Sequence, residues 1–153
     1  MAILSTVKSF LDGEGVGFEM SEEEGSIRFS FSGDTETWMV YIHDLEDSER
    51  LAVLSVVPTL VMESERAEVG NFIQRCNFGL VVGNFEMDLD SGEVRFRTSM
   101  DLDGITTNTD LVRNLVFGNV AVVNDYLPGL NRVIHGGLSA KEAIALVEGE
   151  DEN

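Results

Sequence analysis

The residues whose types could do chemistry are few: His43 beside Asp44, His135, Cys76, and three short acidic or glycine-rich motifs. A histidine oriented by a carboxylate is the usual equipment of a general base. Successive residues of a strand point to opposite faces, so a His43–Asp44 pair on a strand cannot form that dyad. Cys76 is the one cysteine of the chain, which excludes an intrachain disulfide and fits a reducing compartment. It falls at helical spacing with Val69, Phe72 and Ile73, where a thiol serves as a small hydrophobe. Neither Asp88-x-Asp90-x-Gly92 nor Asp101-x-Asp103-Gly104 completes the ligand spacing of a calcium loop, and both are ordinary turn chemistry. The GEGVG run at 13–17 lacks the lysine and following helix of a phosphate loop, and reads as a connector. No G-x-S-x-G elbow is present. The expectation is a non-enzymatic binding module with no catalytic residue, metal or cofactor. A small enzyme using His43 and a carboxylate is the catalytic alternative.

The elements that must position these residues follow from hydrophobic period. Ile3, Leu4, Val7, Phe10 and Leu11 predict a helix over 2–12. Residues 17–34 predict a strand, an acidic turn and a second strand. Residues 36–43 and 51–57 are apolar on both faces, as in central strands covered on both sides. Few helices are available for that cover, so a second chain or a bound partner is expected to supply a layer. DLEDSER, between these strands, is a solvated acidic turn. A helix is predicted from Thr59 to about Cys76, stopped near Asn77 and Gly79. Residues 80–89 and 93–100 form the tightest hairpin, in a register pairing Leu89 with Val94, Met87 with Phe96 and Phe85 with Thr98, which sets Glu86 opposite Arg97 and Asp88 opposite Arg95. Asn108 caps a long helix that Pro128 should kink or restart. Gly136 and Gly137 close it, and Ser139 with Glu142 predicts a capping box for a last short helix. The resulting order is α-β-β-β-(β)-α-β-β-α-α, an α+β fold with an antiparallel twisted sheet packed against helices. Residues 1–148 form a single domain and 149–153 an acidic tail.

An internal echo links the two hairpins. Phe18, Glu19, Met20, Gly25, Arg28 and Phe29 fall at a constant offset on Phe85, Glu86, Met87, Gly92, Arg95 and Phe96. Two readings stay open: a duplicated helix–hairpin unit, or convergence of two hairpins with acidic turns.

The chain has 153 residues, the size of one ordinary domain, and its 28 acidic against ten basic residues leave a net charge of −18. Such a surface repels phosphate backbones and anionic lipid, so nucleic acid and membrane are not expected partners. No stretch has the length of a membrane span, and the chain reads as cytoplasmic.

Residues 59–137 resemble the YbjN-type domain family, whose members are similar to type III secretion chaperones. The resemblance is carried by Asn77-Phe78-Gly79-Leu80, Gly83-Asn84-Phe85-Glu86, Asp90-Ser91-Gly92-Glu93-Val94-Arg95-Phe96-Arg97 and Asp125-Tyr126-Leu127-Pro128. It implies a bacterial, dimeric, chaperone-like protein that holds a segment of a protein partner. The strand at 51–57 is one more than the chaperone pattern needs, which leaves the sheet edge and the mode of dimerisation open. Candidate contacts are Trp38, Val40 and Ile42 on one face of the sheet, or Met39 and Tyr41 on the other, with Phe72 and Phe78 near the middle helix. A regulatory adaptor with one dedicated partner is the alternative function.

Overall fold

The spacing of Leu4, Val7, Phe10 and Leu11 buries one stripe of the first helix, α1 (Ala2–Gly13). The computed structural model describes residues 2–45 and 49–149. After α1 come β1 (Glu19–Ser21), β2 (Ser26–Ser32), β3 (Thr37–Leu45), β4 (Arg50–Val56), α2 (Arg66–Gly79), β5 (Asn84–Met87), β6 (Val94–Asp101), α3 (Thr109–Ile134) and α4 (Ala140–Glu148). The expected element order is met, including the additional strand. Most of the predicted acidic turn between β3 and β4, and the tail beyond Gly149, lie outside the described residues.

The six strands form one antiparallel sheet in the order β1-β2-β3-β4-β6-β5. Its inner face carries Ile27, Phe29, Trp38, Val40, Ile42, Leu51, Val53, Phe85, Val94 and Phe96, all buried in one cluster with residues of the four helices. Helix α3 lies on β4 and β6, α2 packs on β5, and α1 and α4 pack on α3. β3 and β4 are central, but helices cover only the inner face.

A buried polar network seats α3 on the sheet. Asn119 Nδ2 donates to the backbone carbonyls of Val53 at 2.9 Å and Phe96 at 3.1 Å, and to Thr98 Oγ1 at 3.3 Å. Its Oδ1 accepts from Ser55 Oγ at 2.5 Å, while that hydroxyl accepts from Trp38 Nε1 at 3.0 Å. Thr98 Oγ1 donates to the Leu115 carbonyl at 2.8 Å. Every buried polar atom of this cluster has a partner, so the desolvation cost of the asparagine is offset and its direction relative to three strands is set.

Three expectations are corrected. The middle helix starts at Arg66, after a 3-10 turn at Glu63–Glu65, and not at Thr59. Residues 57–61 instead run beside the hairpin tip: Val57 N–H donates to Val94 O and Val61 N–H to Gly92 O, each at 2.9 Å. Met62, expected on the buried stripe, is exposed. The β5–β6 register is displaced by two residues, pairing Phe85 with Phe96, Glu86 with Arg95 and Met87 with Val94. The turn is wider than expected, because Asp88 Oδ1 accepts from Asp90 N–H at 2.9 Å and Asp88 N–H bonds Glu93 O, which takes Leu89 out of the ladder. A two-residue displacement preserves the faces. Finally, α3 continues through Pro128 and does not restart beyond it. Proline removes one backbone hydrogen bond, but Leu127, Leu130, Val133 and Ile134 are buried around it, and that packing outweighs the local loss.

The other end signals hold. Asn108 caps α3 by accepting from Leu111 N–H at 3.0 Å, and Ser139 and Glu142 form the capping box of α4.

Two outcomes follow. Asn119→Ala leaves the buried Ser55 hydroxyl without its acceptor and takes a donor from Thr98 Oγ1 and from the Val53 and Phe96 carbonyls, and should cost about 3 kcal/mol of unfolding free energy in a urea titration. Two glycines of α3 should respond with opposite signs. A Cβ on Gly129 would lie 2.5 Å from Val147 Cγ1 and 3.1 Å from the Ala143 carbonyl, whereas one on Gly118 would meet nothing within 4 Å. Gly129→Ala should destabilise by roughly 1–3 kcal/mol through overpacking, and Gly118→Ala should stabilise by up to about 1 kcal/mol through helix propensity.

Candidate functional site

Strand alternation divides the expected contact residues. Trp38, Val40 and Ile42 point inward and are buried, as is Phe72 on α2. The protein's own core packs against all four, although Trp38 also forms part of the wall of a cleft on the outer face. Met39 and Tyr41 point outward and are half-buried. Phe78, at the end of α2, is 94% exposed. It adjoins Val81 and Val82 in the lead to edge strand β5, both also exposed.

The outer face of the sheet carries an apolar strip along its two central strands. Met39 stands opposite Val56, Tyr41 opposite Leu54, and His43 opposite Ala52. At the β3 start and β4 end, the strip opens into a cleft of about 310 Å³ that adds Pro58 and Leu60, with Glu93 at its rim. Leu54 is 8% exposed although no helix covers it. Its ladder neighbours Tyr41 and Arg97 flank it on either side.

Charges flank the strip in order. Arg28 on β2 is opposite Tyr41, while Arg97 and Arg95 on β6 are opposite Leu54 and Val56. One strand further out, Glu19 on β1 pairs with Arg28 at 2.7 Å. Glu86 on β5 bonds both Arg95 and Arg97, the latter at 2.9 Å. The expected partner Arg97 is thus kept across the diagonal, and Arg95 is the directly opposite residue. The two hairpins share one register, with Glu19 against Arg28 and Glu86 against Arg95, and both turns place a glycine, Gly25 and Gly92, at positive φ. The echo in the sequence is therefore also an echo in geometry, placed at the two ends of one face.

The possible catalytic groups are separated. His43 lies on the outer face, and burial first, then the Arg95 charge, hold its pKa below the ordinary histidine value. Asp44 is buried on the opposite face. His135 ends α3, remote in sequence and element from both. Burial and the nearby Glu148 carboxylate push the Cys76 thiol up to about 12, so it is protonated and inert at neutral pH. Asp88 and Asp101 accept from backbone N–H groups of their own turns. Among the described residues no group of three or more histidine, cysteine, aspartate or glutamate side chains is placed to hold a metal ion. No helix among them is long and apolar enough to cross a membrane.

Leu54, Val56 and the three arginines that flank the strip, Arg28, Arg95 and Arg97, were not among the expected contacts. The signal was present as the doubly apolar run at 51–57 and the arginines in phase on the hairpins. Only strand order places them side by side.

Residues 4–125 match the family model YbjN, described as "Putative bacterial sensory transduction regulator". That match begins in α1 and takes in both hairpins, well ahead of the stretch 59–137 that carries the resemblance in the sequence. No curated protein matches the chain at a significant level. Among solved structures, a chain of the HopA1–SchA chaperone–effector complex aligns with a TM-score of 0.55 at 9% identity, over 78% of this chain and 88% of that one. YbjN from E. coli, "a putative transcription regulator", aligns at 0.58 with 13% identity, over 82% and 91%. A chain of the ExsC–ExsE complex aligns at 0.57 with 16% identity, over 82% and 90%. The architecture is the type III secretion chaperone-like α+β fold.

Glu86 offers a test of the face. Burial raises its carboxyl pKa, but hydrogen bonds and charge from Arg97 and Arg95 outweigh this and hold it below the ordinary 4.5. A depressed pKa contributes stability above the ordinary value that disappears as pH falls through the folded one. Glu86→Gln should therefore flatten the loss of stability below about pH 4.5, measured by urea titrations across the acid range. An acid limb identical to wild type would show that the pair with Arg95 and Arg97 contributes nothing.

Proposed function

Since the chain belongs to the YbjN family, we propose that it is a non-enzymatic, chaperone-like protein that holds a segment of another protein on the outer face of its sheet. The observation that carries this reading is the helix-free face with an apolar strip of Met39, Tyr41, Leu54 and Val56, framed by ion pairs. Met39, Tyr41 and Val56 are only half-buried with no helix over them and line an apolar cleft, the kind of partly open apolar surface that marks interaction sites. The neighbouring structures support it, since one is named as a chaperone–effector complex and another as a complex of two proteins. His43 and Asp44 lie on opposite faces of the sheet and the Cys76 thiol is held protonated, so these groups form no catalytic pair, which favours binding over turnover.

On this reading residues 1–148 act as one unit in the bacterial cytoplasm, without nucleic-acid or membrane partners, and two copies associate. Self-association is assigned to the exposed Phe78, Val81 and Val82 beside the short edge strand β5, a surface separate from the strip. The regulator descriptions of the family and of the E. coli protein favour a second reading, an adaptor with one dedicated partner.

The deciding experiment compares capture from a native lysate by the wild type and by Met39→Ser/Tyr41→Ser, with thermal melts confirming that both are folded. Loss of captured protein by the variant supports the face as the holding surface; equal capture would refute it. A single stoichiometric partner favours the adaptor, and several unfolded clients favour the chaperone. Light scattering giving twice the 16.8 kDa chain mass supports the pair of copies.

A further inference from the structure

The basic residues of this acidic chain are unevenly placed. Arg28, Arg50, Arg95 and Arg97, four of the ten, project from the outer face of the sheet. The carboxylates on the same face of the described strands are Glu19, Glu86 and Asp101, so the strand charges there sum to +1 in a chain of −18. Position matters more than the count. Along one row of the register the order is Glu19, Arg28, Tyr41, Leu54, Arg97, Asn84. With strands roughly 4.8 Å apart, a segment lying along Tyr41 and Leu54 meets a guanidinium on each flank before any carboxylate. On the β6 side, Arg95 and Arg97 share Glu86 as the carboxylate they pair with. Burial and then the Arg95 charge lower the His43 pKa; Glu24, which lines the same outer-face hollow as Arg28, Tyr41 and His43, opposes them, and Arg97 adds to the lowering.

We propose that the segment held on this face is acidic, with apolar side chains along Met39, Tyr41, Leu54 and Val56 and carboxylates reaching Arg28 and Arg97. This rests on the reading of the face as the holding surface. Carboxylate–guanidinium pairs are the charge-assisted contacts suited to that flank. The acidic remainder of the protein repels such a segment everywhere else, so charge confines it to the strip. Glu93, at the rim of the cleft, marks the end where the held segment should not carry a carboxylate.

The test uses the full chain and two fluorescein-labelled peptides, one alternating leucine with glutamate and the other leucine with lysine, followed by fluorescence anisotropy. The glutamate peptide should bind more tightly, although the net charge of the protein alone predicts the reverse, and its affinity should fall as salt is added. Arg28→Gln/Arg97→Gln, which keeps the Arg95–Glu86 pair, should weaken the glutamate peptide about tenfold or more without lowering the melting temperature. Tighter binding of the lysine peptide, lost in Tyr41→Ser, would overturn the acidic class while leaving the holding face intact. Binding of both peptides unaffected by Tyr41→Ser, or by neither peptide at all, would overturn the proposal and the holding face together. A mass that halves in Tyr41→Ser would identify a second copy as the occupant and overturn the proposal alone.

Discussion

The fold depends on how α3 is seated, and Asn119 governs that seat. One side-chain amide reaches the carbonyls of β4 and β6 and the hydroxyls of Ser55 and Thr98, and Ser55 passes the connection to Trp38 on β3. An apolar helix can slide or rotate on an apolar sheet at small cost; one carrying a buried amide with fixed partners cannot. With α3 so placed, α1 and α4 pack on it, and all four helices fall on one side. The other side of the sheet is left bare by the same choice.

Bareness alone would invite non-specific association, and the charges limit it. The short edge strands β1 and β5 each carry a glutamate that pairs with arginines on the next strand in. Each pair is partly exposed and contributes little to stability. Their effect is on pattern: apolar centre, cationic flanks, anionic edges, repeated at both ends because both hairpins use the same register. The large negative charge elsewhere keeps other approaches unfavourable.

Much of the fold was legible. The order of elements, the caps at Asn108 and Ser139, the burial of Cys76 and the hairpin faces all follow from local period and capping chemistry. What failed did so where a distant segment competed with a local rule. Residues 59–62 have helical period but bond the hairpin tip through Val61. Pro128 should interrupt a helix, yet its flanks are buried on both sides. The β5–β6 register was displaced by two because Asp88 widens the turn through its own side chain.

The site was less legible than the fold for the same kind of reason. Alternation in 36–43 separated Trp38, Val40 and Ile42 from Met39 and Tyr41, but it assigned neither set to the core, since both are apolar. Burial of the first set required α3 to lie on that side. By itself the sequence determined which residues share a face, because the period of a strand is a property of the backbone. Tertiary structure alone decided which face is covered and which arginines flank the open one, because the order β1-β2-β3-β4-β6-β5 joins residues far apart in the chain and no local pattern encodes that adjacency.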